Sequence, residues 1–479
     1  MFDDDKPREA CGLFGIAFDP RATLQTRLGL YALQHRGQES AGIMALRQGR
    51  CEVQKGMGLV ADVFARLPNS WWNEPQTMAI GHVRYSTSGS TTLVNAQPFA
   101  VEFDRWVLGL AHNGNLSNCG ALRRALKQSG AILQGTTDTE LILHLAARHH
   151  EPGAAPWAAL RQALTVAEGA YSLLALCEDG MAAIRDPHGW RPLVMGRKGD
   201  AIIFTSETCA LDILQAEYVR DVPPGTMILV RPDGSITEHP VATAPRLAHC
   251  MFELVYFARP DSRVFGEMVY DVRRRFGAQL AREAPCDCDF VMPLPDGGLY
   301  AALGFAEESG RPFNMGMVRN HYVGRTFIKP NEEDRRMAVR VKLNPIRELI
   351  AGKRVCVVDD SIVRGNTSRE RVRLLREAGA KEVHMRISCP PHISPCFYGI
   401  DFPRAEELLA HNRSLDEVRQ IINVDSLGYL SLEGMLGCVR ATKPADYCHA
   451  CWSRQYPVPP REGIPRDELE EKWRQPGLL

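Results

Sequence analysis

Residues 355–380 read VCVVDDSIVRGNTSRERVRLLREAGA. A valine-rich apolar run ends in two carboxylates, Asp359 and Asp360, passes through a loop of hydroxyl, amide and glycine residues, and enters a helical pattern. That is the order of a buried parallel strand, a ligand-binding turn and a crossover helix. Backbone N–H groups at a helix N-terminus, with the Thr367 and Ser368 hydroxyls, converge on an anion, and the helix dipole favours one. Asn, Thr and Ser are also good helix caps, so a strand followed by a capped helix is the plain alternative. The adjacent acids favour the ligand: paired carboxylates at the C-terminal end of a parallel strand suit ribose hydroxyls or Mg²⁺, at the edge of a doubly wound sheet where ligands bind.

Working outward, FVMPLPDGG and KEVHMRISCPP are further buried-looking strands, each near a helical pattern such as LYAALGFAEESG or RELIAG. The C-terminal part of the chain therefore reads as a parallel sheet with crossover helices. Before the link HPVATAPRLAHC the pattern differs. From about Cys11 to Glu238, short β-type runs (GLFGIAF, TMAIGHVRY, WVLGLAHNGNL, YSLLALC, AIIFTS, GTMILVRPDGSITE) alternate with helical segments such as LQTRLGLYALQHR and TELILHLAARHH. This predicts a layered αβ domain built on antiparallel sheets. No internal repeat or low-complexity tract is present.

Length and charge bound the function. A chain of 479 residues implies about two to four domains, and 45% hydrophobic with 24% charged residues is ordinary globular composition. Equal numbers of basic and acidic residues, 57 each, give no electrostatic reason to expect nucleic acid or an anionic membrane as partner. No apolar run reaches membrane-spanning length and the N-terminus is acidic, so a cytosolic protein is expected. In a reducing compartment the 14 cysteines call for metal or catalysis before disulfides. Cys177 and Cys356 lie inside apolar strand runs and read as core residues. CHAC, Cys448 to Cys451, has the spacing of a metal or redox pair, ambiguous by itself between zinc, iron–sulfur and chance. Cys11, between a ten-residue stretch with six charged residues and the run Leu13 to Ile16, reads first as a strand-packing thiol.

The segment GKRVCVVDDSIVRGNTS resembles the phosphoribosyl pyrophosphate (PRPP) motif of type I phosphoribosyltransferases. With GRTFIKPNEEDRRMAVRVKLNP before it, it is similar to one family, the glutamine PRPP amidotransferases. ACGLFGI, LQHRGQESAGI, GHVRYSTSG, NAQPF, AHNGNL, RDPHGWRPLVMGR, SETCALDI, FELVYFARPDS and SPCFYGID extend the resemblance over nearly the whole chain.

The resemblance implies a propeptide at residues 1–10, an N-terminal nucleophile glutaminase domain of αββα layers at residues 11–240, and a doubly wound phosphoribosyltransferase domain at residues 250–470 that carries a C-terminal cluster-binding segment. It gives Cys11 a role: removal of the leader exposes its α-amino group as general base. Asn113 and Gly114 then form the oxyanion hole, Arg84 clamps the glutamine α-carboxylate, Asp138 holds the α-ammonium, and Arg36 is a further candidate for the same pocket. PRPP is expected on Asp359, Asp360, Ser361, Arg364, Gly365, Asn366, Thr367 and Ser368, with Arg325, Lys329 and Lys342 closing from a mobile loop. Mg²⁺ is expected near Gly297, Asp359 and Asp360. A 4Fe–4S cluster is expected on Cys250, Cys396, Cys448 and Cys451, with zinc on the same ligands as the alternative. Glutamine, PRPP and inhibitory purine nucleotides are the implied ligands, and a homotetramer the implied assembly.

Two positions depart from the family pattern. Gly297 stands where a serine usually helps hold magnesium, and Glu332 and Glu333 stand where glutamine is usual. They leave open a second class, a regulator that binds PRPP or nucleotides. Other N-terminal-cysteine amidotransferases share the first domain but lack the PRPP loop.

Overall fold

A computed structural model describes residues 11–85, 92–320, 343–400 and 404–459. The expected leader, and Arg325, Lys329, Glu332, Glu333 and Lys342 of the expected closing loop, lie outside the described residues.

The first half of the chain stacks two antiparallel sheets. One has seven strands in the spatial order Glu217–Asp221, Val194–Lys198, Ala201–Thr205, Gly12–Ala17, Met78–Arg84, Ser40–Arg47 and Arg50–Met57. The other has six: Ile236–Pro240, Thr226–Val230, Gly180–Arg185, Gly169–Cys177, Trp106–Leu116 and Phe99–Phe103. The strand after Cys11 shows why its sequence is apolar throughout. Successive side chains point to opposite faces, so Leu13 and Ala17 pack between the sheets with Ile80, Leu174 and Met181, while Phe14 and Ile16 pack outward with Leu30 and Leu33 on the side of the helix Ala22–Ala32. Burying each large side chain stabilises the layer by about 1.5–3 kcal/mol. Helices Asp138–Arg148 and Trp157–Leu164 cover the outer face of the six-stranded sheet through Leu141, Ile142, Leu145 and Leu160. The αββα layering and the antiparallel sheets are those expected.

The second half carries a parallel sheet, ordered Phe290–Pro293, Arg354–Asp359, Glu382–Ile387 and Ser426–Tyr429. On its far side Val291 bridges Phe313 in parallel. The chain thus leaves the strand Phe290–Pro293 toward one side and returns on the other as Arg354–Asp359. Strand order reverses between these two, which is where a doubly wound sheet binds ligands. The turns at residues 294–298 and 360–365, holding Gly297 and the acidic loop, sit at that switch point, with the Leu294 N–H donating to the Val358 carbonyl at 2.8 Å. No helix among the described residues is long and apolar enough to cross a membrane.

Candidate active site

Cys11 immediately precedes the central strand of the seven-stranded sheet and is 7% exposed. Its Sγ donates to the Tyr85 carbonyl at 3.4 Å. Tyr85 follows the neighbouring strand, whose register sets Gly12 opposite Val83 and so brings Arg84 to Cys11. Burial pushes the Cys11 thiol up, against the pull of the Arg84 and Arg36 cations. A thiol held this way is neutral near pH 7 and requires a base before it can attack.

Asp138 begins the helix Asp138–Arg148 and is buried. Its Oδ1 lies 3.1 Å from His112 Nδ1, and its Oδ2 accepts from the Leu116 N–H at 2.9 Å. It therefore grips the strand Trp106–Leu116 on both sides of Asn113 and Gly114. Burial opposes the charge on Asp138, but His112 and the Leu116 N–H hold its carboxyl below the usual range. Arg84 is in electrostatic reach of both Cys11 and Asp138.

Asn113 is fully buried, and neither its Nδ2 nor its Oδ1 has a hydrogen-bond partner. Leaving such a group unpaired costs about 1–3 kcal/mol, and in a native core it calls for a ligand or water to complete it. Gly114 adopts φ +145°, and a Cβ there would lie 2.1 Å from the Ala170 carbonyl oxygen, so only glycine fits.

Arg36, a further candidate for the glutamine pocket, faces protein partners in this structure. Its guanidinium is fully buried and its donors are engaged: Nε to the Cys11 carbonyl at 3.1 Å, Nη1 to Glu207 Oε1 at 2.5 Å, and Nη2 to both Glu253 oxygens at 2.8 and 2.9 Å. Glu253 also accepts from Arg191 Nη1 at 3.0 Å. Glu207 receives the Arg259 N–H at 2.9 Å and the Ser262 hydroxyl at 2.7 Å. Arg36 thus ties the backbone of Cys11 to the segment around Glu253.

In the acidic loop, Asp359 and Asp360 are both fully buried. Asp359 accepts from the Asp360 N–H at 3.0 Å and from Arg371 Nη1 at 3.2 Å, and Asp360 accepts from the Ser361 hydroxyl at 2.7 Å. A ribose or cation reaching these acids must exchange against Ser361 and Arg371. Gly365, φ +86°, precedes the helix Asn366–Glu377, and a Cβ there would overlap Leu409 Cδ2 at 2.4 Å. Ser368 is buried within the first turn, Thr367 is half-buried, and Asn366 is exposed.

The four distant cysteines gather. The two-residue strands His249–Cys250 and Tyr447–Cys448 pair in parallel with Cys250 opposite Cys448. Cys250 feels Cys448 and Cys396, and Cys451 feels all three others, each neighbour adding to the upward push of burial on the thiols. Arg191 faces Cys250 and Cys396.

The glutamine amidotransferase domain family matches residues 82–213. Amidophosphoribosyltransferases from Glycine max (chloroplastic), Synechocystis and Methanocaldococcus jannaschii are 48%, 47% and 46% identical, over 96%, 97% and 94% of this chain and 81%, 94% and 98% of theirs. The solved glutamine PRPP amidotransferase from B. subtilis, complexed with ADP and GMP, superposes with a TM-score of 0.88 at 41% identity, covering 94% of this chain and 98% of that one. A structure described as the allosteric regulatory enzyme of purine biosynthesis gives 0.89, also at 41% identity, covering 94% of this chain and 97% of that one.

The chain belongs to the amidophosphoribosyltransferase family.

For an amidophosphoribosyltransferase, the parts that sequence reasoning missed are Glu207, Glu253 and Arg191. They lie in SETCALDI, FELVYFARPDS and RDPHGWRPLVMGR, stretches whose apolar neighbours signal burial but not pairing. Burial works against the Glu207 charge, yet His35 and Arg36 beside it hold its carboxyl well below the usual carboxylate range. A carboxyl depressed on folding contributes stability above its unfolded pKa of ~4.3 and loses it as pH falls toward the folded value. Glu207→Gln should therefore cost about 3 kcal/mol near neutrality, by leaving Arg36 under-compensated. Thermal denaturation across pH should show the gap in Tm between wild type and variant narrowing below pH ~4; a gap independent of pH would remove this role.

Proposed function

We propose that the chain uses glutamine to convert PRPP to 5-phosphoribosylamine, the first committed step of purine synthesis. Ammonia passes inside the protein from a glutaminase half, residues 11–240, to a transferase half, residues 250–470. The observation that carries the reading is the buried, unpartnered Asn113 amide beside Gly114, on the strand that Asp138 grips, with Arg84 in reach of both Asp138 and Cys11.

Removal of residues 1–10 turns the Cys11 nitrogen into an α-amine, whose ordinary pKa is about 8. The amine takes the thiol proton as Sγ attacks the glutamine amide carbon, while Asn113 Nδ2 and the Gly114 N–H donate to the oxyanion. The C–N bond then breaks, the amine returns the proton to departing ammonia, and water hydrolyses the remaining glutamyl thioester. Arg84 forks the substrate α-carboxylate and Asp138 accepts from its α-ammonium.

In the transferase half the 5-phosphate sits on residues 361–368, where Arg364, Thr367 and Ser368 reinforce the backbone donors ahead of the helix. Asp359 and Asp360 take the ribose hydroxyls. Asp359 and Asp360 offer the hard oxygens that would hold Mg²⁺, which would supply neutralisation of pyrophosphate charge there, while Gly297 offers its backbone carbonyl alone. Arg325, Lys329 and Lys342 remain our candidates for cations over the pyrophosphate.

Cys250, Cys396, Cys448 and Cys451 would hold a 4Fe–4S cluster, since four neighbouring thiols from three segments, two of them from the CHAC pair, suit that group. It supplies a covalent tie, because neither amide hydrolysis nor phosphoribosyl transfer moves electrons. The ADP and GMP of the B. subtilis relative support purine nucleotides as ligands, and inhibition is the role we assign them. A reducing cytosol and a homotetramer complete this reading, as the family resemblance implies.

Cys11→Ala should abolish glutamine-dependent phosphoribosylamine synthesis while ammonia-dependent synthesis persists, and intact mass of active wild type should lack residues 1–10. Loss of both activities in folded protein, or full activity with the leader attached, would contradict the mechanism. Anaerobically purified protein should also be brown, with about four irons per chain. Cys448→Ser should lose the iron and lower Tm; colourless protein carrying zinc on these thiols would replace the cluster with the alternative.

A further inference from the structure

A second group of cysteines lies apart from both active-site regions and from the four thiols above. Cys286 and Cys288 form a C-x-C pair in the turn between the helix Val269–Glu283 and the strand Phe290–Pro293. Cys356 lies on the next strand, opposite Val291 on one side and His384 on the other. The three sulfurs lie within 4.8 Å of one another. Cys288 and Cys356 are fully buried, and Cys286, at 9% exposure, is nearest to solvent.

Two arginines and a histidine flank the group. Arg311 and His384 face Cys288, and Arg386 faces Cys286. The same arginines brace the peptide that carries the pair: Arg311 donates to the Cys288 carbonyl at 3.1 Å, and Arg386 donates to the Ala284 and Pro285 carbonyls at 2.7 and 2.9 Å. His384 has its nitrogens engaged with Ser426 Oγ at 2.9 Å and Glu382 Oε2 at 3.1 Å, so it stands beside the thiols without joining them.

We propose that Cys286, Cys288 and Cys356 form a three-thiolate site for one thiophilic d¹⁰ cation of the Zn²⁺ or Cu⁺ class. Metal–sulfur bonds of about 2.3 Å place sulfurs around such an ion about 3.8 Å apart, so the observed triangle needs little closing. Soft sulfur donors select these ions over Mg²⁺. Binding a divalent ion releases the three thiol protons and leaves one net negative charge beside the Arg386 guanidinium, while Arg311 is ion-paired with Asp287 at 3.0 Å. A disulfide would use two sulfurs, strand the third and require an oxidant; the ion uses all three. It would also join the two strands that lead into the Gly297 turn and the acidic loop, upstream of both.

The test uses full-length protein, reduced and chelator-treated, then titrated with Zn²⁺ alone and analysed for bound zinc after desalting. Wild type should retain about one equivalent per chain more than Cys286→Ser, and Zn²⁺ should raise Tm more in wild type than in the variant. Whatever the other four thiols hold is common to both proteins and cancels in the comparison. Cys286→Ser is the first variant because it disturbs the core least, and Cys288→Ala provides the second. Equal zinc in wild type and both variants would overturn the proposal. So would loss of the extra equivalent on Cys448→Ser instead, or a peptide map of air-equilibrated protein showing Cys356 in a disulfide.

Discussion

Glu253 is a fully buried carboxylate held between two fully buried guanidiniums, Arg36 and Arg191. The relation of the two halves depends on this cluster. Arg36 comes from the element that follows the first helix, and Arg191 from the loop ahead of the strand Val194–Lys198. Glu253 opens a π-helical turn, Glu253–Phe257, in the segment leading into the second half. Taking such charges out of water is favourable only if each finds its partner, and removing one leaves the others stranded. The cluster thus sets one relative position of the two halves, and through the Arg36 bond to the Cys11 carbonyl it places the proposed nucleophile in that same frame.

A second seam runs from the proposed oxyanion strand to the cysteine segment. The Asn115 side chain donates to the Phe397 carbonyl at 2.9 Å, Arg191 Nη2 donates to the Tyr398 carbonyl at 3.0 Å, and a Cβ on Gly399 would lie 2.9 Å from the Gly114 carbonyl carbon. The backbone at Gly114 therefore rests on the chain just after Cys396. The proposed cluster, tied to Cys396, would hold this contact from behind and would so bear on the proposed glutamine site without any electron transfer.

Much of this was legible in the sequence where chemistry and periodicity coincide. The run 355–360 reads as a strand because apolar side chains fill both faces, and its acids, loop and helix follow in order. The strand after Cys11 is legible for the same reason, since both sheet faces are buried. Roles that depend on distant partners were not legible. Arg36 reads as a pocket cation because arginines bind carboxylates, and nothing local says that its carboxylates are Glu207 and Glu253, 171 and 217 residues away. Cys356 reads as core because its neighbours are apolar; the C-x-C pair that meets it lies across a strand register that the sequence does not display.

If Arg36 and Glu253 act as one unit on the proposed glutaminase, a double-mutant cycle reads their coupling. Glutamine-dependent and ammonia-dependent kcat/KM would be measured for wild type, Arg36→Met, Glu253→Gln and the double variant. Each single change should lower the glutamine-dependent value far more than the ammonia-dependent one. The double variant should be little worse than the worse single, a coupling of about 1–3 kcal/mol. Additive losses, or equal losses in both activities, would contradict it.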